Sequence, residues 1–247
     1  MTELINLDKL PVEVPKIIEP YCREMLKLHG DNLDSIIVYG SATGRDYLPR
    51  RSNINLLLVF KRLELSDLKK SLKLVAKGRK KRIIAPLFLT DKHMETSSDT
   101  FPIEFLEMKE NHVLIYGKDV LEGLEISWNN IRLQCEQQLK GKLIRLRQAY
   151  LEIGLRKKGV ESLLIESFTS LIPTFRNMLR LKKKEVPGEK EKVVKELSSQ
   201  FKVDEEVFLS ILRDKQGDEK IGGMKAEDFL GRYLEEIRKL AIAVDEL

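Results

Sequence analysis

The stretch IIVYGSATGRDYLPRRSNINLLLVF, residues 36–60, decides the fold of the first half of the chain. A short β-rich run, Ser35–Tyr39, ends at Gly40–Ser41, and the polar residues 42–52 that follow predict a loop. Residues 54–60 are almost entirely apolar. This composition predicts a central strand that is buried on both faces of a sheet.

Asn53 and Asn55 flank one apolar residue where this second strand begins. Because alternate side chains of a strand share a face, both asparagines are expected to point the same way, toward the Gly40–Ser41 turn. A glycine at such a turn lets the backbone approach a phosphate, and a serine hydroxyl with nearby amides supplies hydrogen bonds. Gly–Ser alone is a weak indication of a phosphate site, because many tight turns contain it. The asparagine pair at the start of the next strand strengthens this indication.

The flanking sequence predicts an α+β sheet domain over residues 1–124. Apolar spacing predicts helices, and β-rich composition predicts two further strands joined by a loop. The helices are expected at 12–29 and 65–77, the strands at 83–89 and 101–108, and the loop at 90–100.

The second half, residues 125–247, shows only helical periodicity. Breaks at Pro187–Gly188 and Gly222–Gly223 separate the segments, which predicts an all-α helical bundle as a second domain. Its helices are expected at 127–153, 160–182, 190–200, 204–212 and 226–244.

Residues 36–60 resemble a known sequence signature. That signature consists of a strand, Gly–Ser, a spacer of about a dozen residues and two metal-binding acids around one apolar residue. This is the signature of the nucleotidyltransferase superfamily, which includes the aminoglycoside nucleotidyltransferases. Residues 112–123, HVLIYGKDVLEG, placed after the sheet, resemble bacterial members with a helical C-terminal domain. The resemblance implies a small mixed sheet domain followed by a helical domain. It also implies catalytic positions at Asn53 and Asn55 and, on a later strand, at Glu104. The nucleotide contacts that it implies are Gly40, Ser41, Arg45 and Arg51.

In that family, paired aspartates hold divalent ions, and a nucleoside monophosphate passes from a triphosphate to a hydroxyl group with release of pyrophosphate. Mg²⁺ prefers anionic oxygen ligands, whereas Asn53 and Asn55 offer neutral amides. We therefore expect nucleotide binding, to ATP or another triphosphate, with lost or weakened transfer. One alternative is an active transferase that uses Mg²⁺ through Glu104 and Asp46 and modifies a small-molecule or protein acceptor. Another is a non-catalytic module that binds a protein partner.

The balance of 44 basic and 39 acidic residues gives a net charge of +5, so nucleic acid is not expected as the main partner. The densest basic run, at residues 78–82, allows a phosphate contact, but a solvated turn at a helix end is the favoured interpretation. Cys22 and Cys135 are expected to be buried, reduced thiols. The sequence shows no membrane span or secretory leader, which predicts a cytoplasmic protein, and it leaves a homodimer open.

Overall fold

The computed structural model describes residues 3–44, 47–49, 52–153, 159–221 and 225–247. The chain divides into two compact units, Met1–Ile126 and Ser127–Leu247. Unit 1 contains helices and strands, and unit 2 contains helices. The helices and strands of unit 1 are α1 (Glu13–His29), β1 (Leu33–Tyr39), β2 (Asn55–Phe60), α2 (Leu65–Arg79), β3 (Leu87–Thr90), α3 (Asp91–Ser97), α4 (Pro102–Glu110) and β4 (His112–Gly117).

The described strands of unit 1 form one four-stranded sheet with the order β3-β2-β1-β4. Strand β1 pairs antiparallel with both β2 and β4, and β2 pairs parallel with β3. The pairing places the end of β1 beside the beginnings of β2 and β4, because Tyr39 lies opposite both Asn55 and His112. This edge of the sheet is called the Gly40 edge below.

Strand β2 is buried on both faces, as predicted. Ile54, Leu56 and Leu58 pack in a core with residues of α1 and α2. Leu57 and Val59 point to the opposite face and pack in a second core with residues of α3 and α4. This alternation places Asn55, by its position in the strand, on the face of the second core.

Residues 101–108 do not form the predicted strand. Residues 102–108 belong to helix α4, which Pro102 opens near its first position, where the missing N–H of proline costs nothing. Phe105 and Met108, three residues apart, turn the apolar side of this helix into the second core. The alternation of apolar and polar residues in PIEFLE is compatible with a strand, but Glu, Leu, Met and Lys are strong helix formers and the helix prevails.

Three other predictions for this region need correction. The predicted loop at 90–100 contains helix α3, which Thr90 caps by accepting the N–H of His93 at 3.2 Å. The predicted strand at 83–89 is shorter, because β3 spans Leu87–Thr90 and Ile83 makes only an isolated bridge to Ile54. Residues 112–117 were predicted to follow the sheet, but they form strand β4 within the sheet.

The helices of unit 2 follow the predicted segments closely. They are α5 (Trp128–Ile153), α6 (Val160–Leu181), α7 (Lys190–Phe201), α8 (Glu205–Gln216) and α9 (Lys225–Asp245). Aromatic rings from three of them form the centre of the core, with Phe208 5.5 Å from Phe175 and 5.8 Å from Tyr233 between ring centroids. Cys22 and Cys135 are both buried and free, one in each unit. None of the described helices is long and apolar enough to cross a membrane.

Candidate functional site

The turn after β1 has the backbone shape that the sequence predicts for a close approach. Gly40 has φ +75°, in the left-handed region that glycine adopts without strain. Residues Gly40–Thr43 form one short 3₁₀ turn, and the hydroxyl of Thr43 donates a hydrogen bond to the carbonyl of Gly40 at 2.8 Å. Ser41 is exposed at the start of this turn. The local sequence therefore fixes the turn and leaves the serine at the surface.

The structure brings Asn55 directly against this turn. A Cβ atom added to Gly40 would lie 3.1 Å from Nδ2 of Asn55. Asn53 is exposed just before the strand, and Ile54 between the two asparagines is fully buried. No described residue forms a hydrogen bond with the side chains of Ser41, Asn53 or Asn55, so their polar groups are open to a ligand.

On the side of β2 away from β1, the segment beside Asn55 carries no carboxylate. Ile54 donates its N–H to Arg82 and accepts the N–H of Ile84, so the segment IIAP at residues 83–86 is the neighbour of the two asparagines. The first acid along this strand is Asp91, which follows its far end. Strand β3 and the segment before it therefore supply no acidic ligand beside the two asparagines for a pair of magnesium ions.

Glu104, the predicted third acid, does not lie on a strand beside β2. It is an exposed residue in the first turn of α4, and the strands next to β2 are β1 and β3. Among the described residues, no group of three His, Cys, Asp or Glu side chains could hold a metal ion. The donors that the described residues place at the Gly40 edge, two neutral amides and a hydroxyl, do not fit the magnesium that the resemblance implies.

Strand β4 contributes residues that the sequence analysis did not assign to the site. The N–H of Gly40 donates to the carbonyl of Asn111 at 2.9 Å, and His112 lies opposite Tyr39 in the sheet. Burial raises the pKa of Tyr39. The run of β-branched, aromatic and leucine residues in HVLIYG was the signal for this strand.

The ring of His112 is held from both sides. Its Nδ1 lies 2.9 Å from the carbonyl oxygen of Lys109, and its Nε2 lies 2.9 Å from Oδ2 of Asp119. These two contacts fix the orientation of the ring. The other oxygen of Asp119 accepts the N–H groups of Leu121 and Glu122. His112 therefore links β4 to the segment that follows it.

The loop between β1 and β2 is described in part. Tyr47 is buried in the core under α1, and its pKa is raised by burial, with Glu13 adding to the rise and Arg82 opposing it. Leu48 donates its N–H to the hydroxyl of Ser52 at 2.9 Å, which closes the loop before Asn53. The predicted nucleotide contacts Arg45 and Arg51, and the alternative metal ligand Asp46, lie outside the described residues.

Comparison with solved structures shows that the chain has a nucleotidyltransferase-like fold. One structure that it resembles is that of spectinomycin adenyltransferase AAD(9) from Enterococcus faecialis with ATP and spectinomycin. The TM-score is 0.59, and the match covers 90% of this chain and 98% of that chain at 14% identity. Neither a scan against protein-family models nor a search of curated proteins found a match.

Proposed function

We propose that unit 1 binds a nucleoside triphosphate at the Gly40–Ser41 turn and that its ability to transfer a nucleoside monophosphate is lost or greatly weakened. The position of Asn55 close to Gly40 carries this proposal. It places a neutral amide beside the turn, where the family resemblance calls for a metal-binding acid. The open hydroxyl of Ser41 and the left-handed turn support phosphate as the group that is bound.

Electrostatics supports the loss of transfer. A carboxylate about 4 Å from a divalent ion contributes a gross attraction of about 8 kcal/mol at an effective dielectric constant of about 20, twice the value for two unit charges. An asparagine carbonyl offers no net charge. Desolvation cancels a large part of that attraction for any carboxylate, but two lost charges at Asn53 and Asn55 leave little affinity for a metal pair.

The neighbour of known structure supports a nucleotide as the ligand, because AAD(9) was crystallised with ATP. The same structure contains spectinomycin, a small-molecule acceptor. The rival proposal, an active transferase that uses Glu104 and Asp46, receives no support from the exposed position of Glu104 on α4.

Isothermal titration with ATP, once with excess EDTA and once with Mg²⁺, tests the proposal. We expect ATP to bind in EDTA with an affinity that Mg²⁺ does not improve, and we expect no transfer of label from α-labelled ATP to the protein or to a panel of aminocyclitol and aminoglycoside acceptors. Labelling of any acceptor would refute the loss of transfer. The absence of ATP binding under both conditions would refute the nucleotide site and favour a module that binds a protein partner.

A further inference from the structure

The basic run that ends helix α2 lies at the same edge of the sheet as the candidate nucleotide site. We define the basic turn as Arg79–Arg82, four consecutive cationic residues that are all exposed. The carbonyl of Arg82 accepts the N–H of Ile54 at 2.9 Å. Because Ile54 stands between Asn53 and Asn55, the last residue of the basic turn lies beside the start of the strand that carries both asparagines.

Backbone hydrogen bonds hold the basic turn in place. Lys81 and Ile83 both donate their N–H groups to the carbonyl of Gly78, at 2.8 Å and 3.0 Å, and Arg82 donates to Arg79 at 3.2 Å. Gly78 itself packs so closely on α1 that an added Cβ would lie 2.7 Å from Cε2 of Tyr21. The position of the turn is therefore set by the core, and its side chains project from a fixed base.

Arg82 has a backbone conformation that costs energy. Its φ of +64° lies in the left-handed region, which a residue with a long side chain seldom adopts. Strained residues of this kind collect at binding sites, where the surrounding structure holds them. Burial raises the pKa of Tyr47, and the charge of Arg82 opposes this rise. The charge of Arg82 therefore acts on a residue of the loop that follows the Gly40–Ser41 turn.

Three of the four cations of the basic turn have no ion-pair partner within the part of the chain that the structure describes. Arg79, Lys80 and Lys81 form no ion pair with a described residue. By contrast, Lys70 of the same helix lies 3.8 Å from Asp67. The dipole of α2 favours a cation in its last turn, where Arg79 stands, but Lys80, Lys81 and Arg82 lie beyond the helix end.

We propose that the basic turn binds the phosphates of the nucleotide held at the Gly40–Ser41 turn and supplies the positive charge that divalent ions provide in metal-dependent transferases. This inference rests on the proposed function and names how the same site recognises its ligand. A triphosphate carries several negative charges, and the asparagines that replace the acids cannot recruit metal to balance them. Lysine and arginine side chains can balance them directly.

The test is a titration of ATP in EDTA at several salt concentrations, with the full chain and with the Lys80→Gln, Lys81→Gln double variant. Both lysines are exposed, so the variant is expected to fold like the parent. We expect about a tenfold loss of affinity from two exposed charges and a weaker dependence of affinity on salt. A second variant, Arg79→Gln, should show a smaller loss in the same direction.

The matched control is the Lys69→Gln, Lys92→Gln double variant, which removes the same charge. Both lysines are exposed and lie near the opposite edge of the sheet, about 17 Å away along β2. If the parent binds ATP and both double variants bind it equally well, the proposal is wrong and nucleotide binding stands. If the parent does not bind ATP, both proposals are wrong. If the Lys80, Lys81 variant loses affinity for a single-stranded RNA but not for ATP, the basic turn recognises nucleic acid and this proposal is overturned.

Discussion

Restoring two acids should convert the candidate site into one that uses magnesium. In the Asn53→Asp, Asn55→Asp variant, each new carboxylate about 4 Å from Mg²⁺ would contribute about 8 kcal/mol of gross attraction. The net gain is far smaller, because Asn53 is exposed and a carboxylate at half-buried Asn55 must be desolvated. A net gain of only about 1.4 kcal/mol already means tenfold tighter binding.

Isothermal titration with ATP measures this effect. In Mg²⁺ the variant should bind ATP at least tenfold more tightly than the parent. In EDTA it should bind more weakly than the parent, because two carboxylates then face the triphosphate without a metal ion between them. Asn129→Asp, Asn130→Asp is the matched control, since it adds the same charge on α5 in unit 2 and should leave ATP affinity unchanged under both conditions.

A folded variant whose ATP affinity is the same in Mg²⁺ and in EDTA would refute the reasoning. It would mean that the side chains at positions 53 and 55 do not face the bound phosphates, although Asn55 lies close to Gly40 in the structure.

Two further predictions concern the stability of unit 1. Burial lowers the pKa of His29, whose Nε2 lies 2.8 Å from the hydroxyl of Ser71. Below about pH 6.5 the unfolded chain takes up a proton on this residue, whereas the folded chain resists protonation. The free energy of unfolding should therefore fall as the pH decreases from there, by at most about 1.4 kcal/mol per pH unit. In urea denaturation, His29→Asn should remove this dependence on pH. In the same assay, Gly117→Ala should destabilise the protein by about 2–5 kcal/mol, because its φ is +80° and the new Cβ would lie 1.8 Å from the carbonyl oxygen of Asp34. Gly40→Ala should cost only about 1–2 kcal/mol, because its φ is +75° but only a flexible side chain lies near the new Cβ.

Equal pH slopes for the parent and His29→Asn would show that another group sets the acid sensitivity. Equal losses for the two alanine variants would show that the backbone near Gly117 yields to the new methyl group.

The sequence predicted the elements whose pattern is locally unambiguous. The helices of unit 2 and α1 and α2 repeat apolar residues at helical spacing, and β2 is a continuous apolar run between turn residues. The approach of Asn55 to Gly40 was also predictable, because antiparallel pairing of β1 with β2 across the loop sets Tyr39 opposite Asn55.

The parts that sequence reasoning missed depend on contacts between distant residues. PIEFLE fits either a strand or a helix by pattern, and the second core under α4 decides between them. The partner of Gly40 at Asn111 lies 71 positions along the chain, so no local signal links the two. The basic turn looked like a solvated helix end, and only the hydrogen bond from Ile54 to Arg82 places it beside the candidate site.

A crystal structure of the protein grown with ATP and excess Mg²⁺ tests the nucleotide site most directly. We predict a triphosphate against the Gly40–Ser41 turn, cations of the basic turn near its phosphates, and no divalent ion bound by Asn53 or Asn55. Two ordered magnesium ions coordinated by these two side chains would contradict the proposed function.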